Sequence, residues 1–182
     1  MRALTAGLFS SIDGVVEAPD TFQFDSFDDE LGQMLGEVMG NTTTVLLGRV
    51  SYEEWAGYWP NANDGGFELF INPVEKFVAT RTIADPLAWQ NSTVIEGDLE
   101  SFVRDLKTGE GGDIAVMGSL SVTRQLIQAG LIDRISLIVH PVLAGKGRHL
   151  FEPSDAPTRM ELIETIRTSK GNVVNTYAPR SE

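Results

Sequence analysis

Short apolar runs that stop in a glycine or in a hydroxyl-arginine pair recur along this chain, and helix-like stretches follow them. Thr44–Leu47 empties into Gly48-Arg49-Val50-Ser51, Glu75–Thr80 ends in Thr80-Arg81, and Asp113–Met117 runs into Gly118-Ser119. Runs that are apolar at successive positions read as strands buried on both faces, and strands of that kind need helices to cover them. The alternation therefore selects an α/β fold over separate all-α and all-β halves. The expected fold class is a three-layer αβα sandwich around a mixed, mostly parallel sheet with a C-terminal antiparallel hairpin.

The remaining signals fill in that frame. Residues 2–9 read as a first buried strand, and Ser10–Phe24 as a long connection of the type that serves as a binding loop or lid. Ser26–Gly40 is a helix candidate with Ser26 as N-cap, with Asp28, Asp29 and Glu30 in its first turn, and with Leu31, Met34, Leu35 and Val38 on one stripe. Gly40 and Asn41 stop it. Ser51 and Glu54 form a Ser-x-x-Glu capping box opening a helix to Gly57, before a loop over Tyr58–Gly66. Thr93–Ile95 reads as a strand, Leu99, Phe102, Val103 and Leu106 mark a helix closed by Gly109, and another helix runs from Ser119 to Gly130. Arg134–His140 is strand-like up to Pro141, Ala144–Arg148 is a flexible loop, and Lys170-Gly171-Asn172 joins two strands as a hairpin. With 182 residues and no break in composition, one domain spanning 1–182 is expected.

Charge and residue types narrow the function. The net charge is -12 with no basic stripe, which argues against nucleic acid as partner and makes the positions of the few arginines informative. Without cysteine there are no disulfides, thiolate metal sites or cysteine nucleophiles, and His140 and His149 lack partners at ligand spacing, so no metal is expected. Only Arg2 precedes the first apolar residues, and no stretch approaches a membrane span. A cytoplasmic protein without membrane contact is expected.

In an open parallel sheet the carboxyl ends of the strands line one edge, where ligands bind. Three such ends here carry Arg49, Ser51, Thr80, Arg81, Gly118 and Ser119, and two of them open helices whose N-terminal amides attract anions. Two arginines and two helix N-termini suit a ligand with several phosphates, such as a dinucleotide with a 2'-phosphate taken by an arginine together with Thr80 or Ser51. No Gly-x-Gly-x-x-Gly follows the first strand, and Gly145-Lys146-Gly147 lacks the Ser or Thr of a Walker loop. The cofactor fold implied is neither of those two.

The chain resembles the dihydrofolate reductase-like family, in the branch of the riboflavin-biosynthesis reductase C-terminal domain. The segments that carry the resemblance are Ser10-Ser11-Ile12-Asp13-Gly14, Leu46–Glu53, Val78-Ala79-Thr80-Arg81, Val116-Met117-Gly118-Ser119, Ala129–Asp133 and His140–Gly147 with Leu150-Phe151. The resemblance implies a reductase that uses NADPH, held by Gly14, Gly48, Arg49, Ser51, Thr80, Arg81, Met117, Gly118, Ser119 and Leu120. It implies hydride transfer to a pteridine-like or ribosylaminopyrimidine substrate, under a loop matched by Ser11–Gly14, in a homodimer. Asp13 is the candidate polar group beside the nicotinamide. For the substrate-binding carboxylate Asp25, Asp28 and Asp29 compete, and Asp28 joins Asp13 as a catalytic candidate. There is no His-x-Glu with a Cys pair, so the deaminase activity of bifunctional relatives is excluded. The other reading is an NADP(H)-binding or sensing protein without turnover.

Overall fold

The computed structural model describes residues 1–63, 65–153 and 155–180. Asp64, within the expected Tyr58–Gly66 loop, lies outside the described residues. In chain order the elements are β1 (Leu4–Ser10), α1 (Asp29–Asn41), β2 (Thr42–Gly48), α2 (Arg49–Tyr58), α3 (Phe67–Ile71), β3 (Glu75–Ala79), β4 (Ser92–Val94), α4 (Leu99–Thr108), β5 (Asp113–Val116), α5 (Leu120–Gln128), β6 (Arg134–Val139), β7 (Met160–Arg167) and β8 (Val173–Pro179). The strands form one eight-stranded sheet in the order β4-β3-β2-β5-β1-β6-β8-β7. β2 pairs parallel with β3 and β5, β3 with β4, and β1 with β6, while β6-β8 and β7-β8 are antiparallel. The expected α/β class, its mostly parallel sheet and its terminal hairpin are all present.

Two compact units divide the chain, the first made of Met1–Leu4 with Asn41–Leu131 and the second of Thr5–Gly40 with Ile132–Glu182. In the first, Val45, Leu46, Leu47 and Val78 are fully buried, as runs covered on both faces should be. Val45, Leu47 and Val78 pack with Tyr52, Ile71 and Trp89, and Trp55, Trp59, Phe67 and Phe70 lean on that cluster. Each fully buried aliphatic side chain contributes about 1.5–3 kcal/mol. One member of β3 breaks the apolar pattern: Lys76 is fully buried, its Nζ donating to the carbonyls of Ile71 (2.9 Å), Asn72 (3.1 Å) and Val74 (2.8 Å). These carbonyls lie at and just past the end of α3, where the last carbonyls of a helix have no donor within the helix and need one from outside it.

In this unit one expected helix start moves. α2 begins at Arg49 with Gly48 as N-cap and no side-chain cap bond, so the Ser51-Glu54 capping box does not form. Ser51 is instead the third helical residue, inside the first turn.

In the second unit Leu31 of α1 is buried against Ile138 of β6 and Val174 of β8, with Met34 and Leu35 at the margin. Val38, expected on the same stripe, is 48% exposed. The helix begins at Asp29 rather than Ser26, because Asp28 is the residue whose Oδ1 accepts from the Leu31 amide at 3.0 Å. Aspartate caps as well as serine does, so both residues were eligible and the tertiary partners of Ser26 decided between them.

Candidate functional site

The strand register of the first unit assembles the candidate cofactor residues. Gly48 pairs with Ala79, which puts Gly48-Arg49 beside Thr80-Arg81, and Leu46 pairs with Val116, which puts Met117-Gly118-Ser119 on the other side. The two glycine turns interlock: the Gly48 amide donates to the Gly118 carbonyl at 2.8 Å. Gly118 has φ +124, and a Cβ there would stand 2.5 Å from Ser51 Oγ. A Cβ at Gly48 would meet the Ser119 side chain and lie 3.1 Å from the Ser119 amide nitrogen. The Gly118–Ser119 peptide is cis.

α2 and α5 both start at this interlock, from Gly48 and Ser119, and neither has a side-chain cap. Bare first-turn amides and two aligned helix dipoles favour an anion in front of them. Hydroxyls line the same place, with Ser119 Oγ 2.8 Å from Ser121 Oγ and Ser51 against Gly118. Ser121 escaped the sequence reading, although a hydroxyl at the second position of a helix that follows a glycine turn is a usable signal.

The arginines supply charge at the rim. Arg49 Nη1 sits 2.6 Å from Glu53 Oε2, one helical turn on, and both side chains are nearly half exposed. That pair is too wet to stabilise the fold by much, and it keeps the guanidinium at the head of α2. Arg81 is exposed and follows Thr80, whose Oγ1 accepts from the amides of Thr82 (3.1 Å) and Ile83 (3.3 Å). The Thr80 hydroxyl proton is left for another acceptor.

The other candidates, Asp13, Gly14 and Asp28, belong to the second unit. Gly14 has φ +84. Asp13 is exposed, and its carboxylate accepts from Ser11 Oγ (2.6 Å) and from the amides of Ala144 (2.9 Å) and Gly145 (2.7 Å). The Ser11 hydrogen bond, followed by those two amides, lowers its pKa to about 2. Asp28 is buried; burial raises its pKa, but hydrogen bonds from Thr168, the Leu31 and Lys170 amides and Asn172 outweigh it and the net shift is downward. Both carboxylates are thus committed anions.

His140, at the end of β6, is fully buried between Ser26 and Gln23. Ser26 Oγ donates to Gln23 O (2.6 Å) and so accepts from Nδ1–H (2.6 Å), which leaves Nε2 to accept from Gln23 Nε2 (3.3 Å). This network fits the neutral imidazole. Burial lowers its pKa below 6.5, against the opposing influence of Asn172 and Asp28. A depressed histidine means that the unfolded chain takes up its proton first, so stability should fall as pH drops below 6.5 toward the lowered value. Thermal melts from neutral to mildly acid pH should show that loss, and His140→Gln should flatten it; an unchanged slope would contradict the neutral assignment.

Among the described residues no group of side chains could hold a metal ion, and no helix is long and apolar enough to cross a membrane. Comparison with known proteins adds to this geometry. The sequence profile of the RibD C-terminal domain matches residues 2–174. YyaP, an uncharacterized protein of Bacillus subtilis (strain 168), is 27% identical over 184 residues, covering 97% of this chain and 94% of that one. A pyrimidine reductase-like protein of Corynebacterium diphtheriae superposes with a TM-score of 0.71 at 13% identity, over 100% of this chain and 93% of its own. Dihydrofolate reductase of Enterococcus faecalis, solved with NADP(H), has a TM-score of 0.61 at 18% identity, over 98% and 97% of the two chains. At these identities the structural likenesses establish the fold.

Proposed function

Because the chain belongs to the RibD C-terminal domain family, we propose that it is an NADPH-dependent reductase that passes hydride to a pteridine-like or ribosylaminopyrimidine acceptor. Family and fold both point to an oxidoreductase of the reductase type. One observation carries the cofactor assignment: two uncapped helix N-termini, α2 and α5, meet at glycine turns that bond to each other, with Arg49 and Arg81 beside them. That donor set matches a pyrophosphate and a 2'-phosphate in number and in charge.

When bound, the nicotinamide supplies the hydride. The chain contributes positioning: first-turn amides and the hydroxyls of Ser51, Ser119 and Ser121 hold phosphate, the arginines take the extra phosphate, and Gly48 and Gly118 let backbone approach the ligand. Steady-state oxidation of NADPH against a panel of pterins, folates and ribosylaminopyrimidines tests the reading. Turnover with one class is expected, and binding without turnover by any would leave the NADP(H)-binding or sensing alternative. That alternative draws on the ionised state of Asp13 and Asp28, neither of which has a proton to give near neutral pH.

Arg49→Ala should weaken NADPH by about 10- to 100-fold and NADH far less, as expected for loss of one charge-assisted phosphate contact. Glu53→Gln frees Arg49 from its carboxylate and should tighten NADPH. Parallel titrations of both nucleotides read these changes, and equal losses for the two would remove the 2'-phosphate assignment.

A further inference from the structure

Residues 80–91, which join β3 to β4 and carry Thr80 and Arg81, belong to no helix or strand, so other groups must satisfy their backbone. At the start of this loop Thr80 Oγ1 takes the Thr82 and Ile83 amides, and in its middle Asp85 takes the Val94 amide of β4 on both carboxylate oxygens (3.1 and 3.2 Å). Near its end the Trp89 amide, which is buried, donates to Tyr52 Oη at 3.1 Å. A buried amide outside regular structure needs an acceptor, and this one comes from α2.

Tyr52 follows Ser51 directly in the first turn of α2, the turn proposed to present amides to phosphate. It is 5% exposed and packs with Val45, Leu47 and Val78, its ring 6.2 Å from that of Trp89, so its work is done inside the core. Trp89 is tied to the other end of the helix as well. Its Nε1 donates to Asn72 Oδ1 (2.9 Å), and Asn72 Nδ2 donates to the carbonyl of Trp59, the C-cap of α2 (3.0 Å). Ile83 and Leu87 of the loop lean on the same apolar cluster. Helix and loop are thereby joined, with Arg49 at the head of one and Arg81 on the other.

We propose that Tyr52 is a positioning residue for cofactor choice: by accepting the Trp89 amide it holds the loop that carries Thr80 and Arg81 against the head of α2, and so sets the preference for a nucleotide with a 2'-phosphate. The tie stands on its own geometry, and its use in cofactor choice rests on the NADPH reading above. A loop already in place meets the extra phosphate without being ordered by it, whereas a loosened loop must lose its freedom on binding. A nucleotide without the 2'-phosphate makes no use of Arg81 and is indifferent to the tie.

Tyr52→Phe tests this, because it keeps the ring and its packing and removes only the acceptor. Amide exchange followed by NMR on the free chain should quicken about tenfold at Trp89 relative to the amides of β2, the scale of one lost hydrogen bond. The Kd for NADPH should rise about three- to tenfold while that for NADH stays within about twofold. With Arg81 already replaced by Ala, adding Tyr52→Phe should change NADPH affinity by less than about twofold, since the tie acts through the loop. Val45→Ala opens a cavity in the same cluster without touching the tie, and should lower the melting temperature while the NADPH:NADH ratio holds. Equal losses for both nucleotides in Tyr52→Phe would place its effect on the α2 amides instead. That result overturns the proposal, as do an unchanged ratio, full additivity with Arg81→Ala, or a ratio that falls equally in Val45→Ala. A wild-type chain that binds no NADPH, or an Arg81→Ala chain that keeps the full preference, removes the 2'-phosphate reading itself and the role of Tyr52 with it; a preference that needs Arg81 and survives Tyr52→Phe removes only the proposal.

Discussion

Replacing Gly118 with alanine is expected to raise the Kd for NADPH by more than about 100-fold and to destabilise the fold by about 2–4 kcal/mol. The backbone there has φ +124, which strains any residue with a Cβ. The added methyl would also lie 2.5 Å from Ser51 Oγ and 3.1 Å from Ser51 Cβ. Rotating the hydroxyl away relieves the first contact only. The second requires the first turn of α2 to move, and that turn presents the amides proposed to hold phosphate. The strain also reaches the Gly48 amide through its bond to Gly118 O. Ser51→Gly in the same chain should restore part of the stability, with a coupling of about 1 kcal/mol or more between the two positions. Thermal melts and NADPH titration of the single and double variants measure both effects. A Gly118→Ala protein within twofold of wild type in NADPH affinity would show that this turn does not touch the cofactor.

Lys76→Ala should cost about 3–5 kcal/mol, through the cavity left by the side-chain stem and the Ile71 and Val74 carbonyls left without this donor, while Asn72 O keeps Gln90 Nε2. The ammonium also lies 4.5 Å from the Trp89 ring centre, so its loss loosens the aromatic cluster around Trp89. Lys76→Met keeps the stem and isolates the polar part. Burial pulls the Lys76 pKa down from 10.5 to about 8, so between those values the unfolded chain binds the proton that the folded chain has released. Stability from this group therefore rises with pH across that window, by up to about 3 kcal/mol at 1.36 kcal/mol per pH unit. Denaturant melts of wild type and Lys76→Met from pH 8 upward should diverge by an amount of that order. Parallel curves would mean that the lysine is solvated in the folded protein.

Why some of this was legible in the sequence and some was not follows from the range of each interaction. β2 and β5 could be read because a strand buried on both faces must be apolar at successive positions, whatever lies beside it. The convergence of Gly48, Thr80 and Gly118 followed from strand direction alone. Helix starts were less secure: Ser26 and Asp28 are both competent caps, and Ser26 was withdrawn by Gln23 and His140, the latter far away in the chain. Ser51 and Glu54 met the capping-box pattern, yet α2 starts two residues earlier, from Gly48 and without a side-chain cap. α3 has five residues, too few to show a helical period. Lys76 in a strand reads as a solvent-facing cation, and only the end of α3 above it explains its burial. Asp13 was readable as a turn aspartate ahead of Gly14, but its partners, Ala144 and Gly145, lie beyond any local pattern.

Direct titration of the wild-type chain with NADPH and, in parallel, NADH is the measurement closest to the central claim that the heads of α2 and α5 hold a phosphorylated dinucleotide. Saturable binding at one site per chain is predicted, with NADPH favoured by at least about tenfold through the arginine contacts to its 2'-phosphate. No saturable binding at near-millimolar nucleotide, or equal affinity for the two, would contradict it.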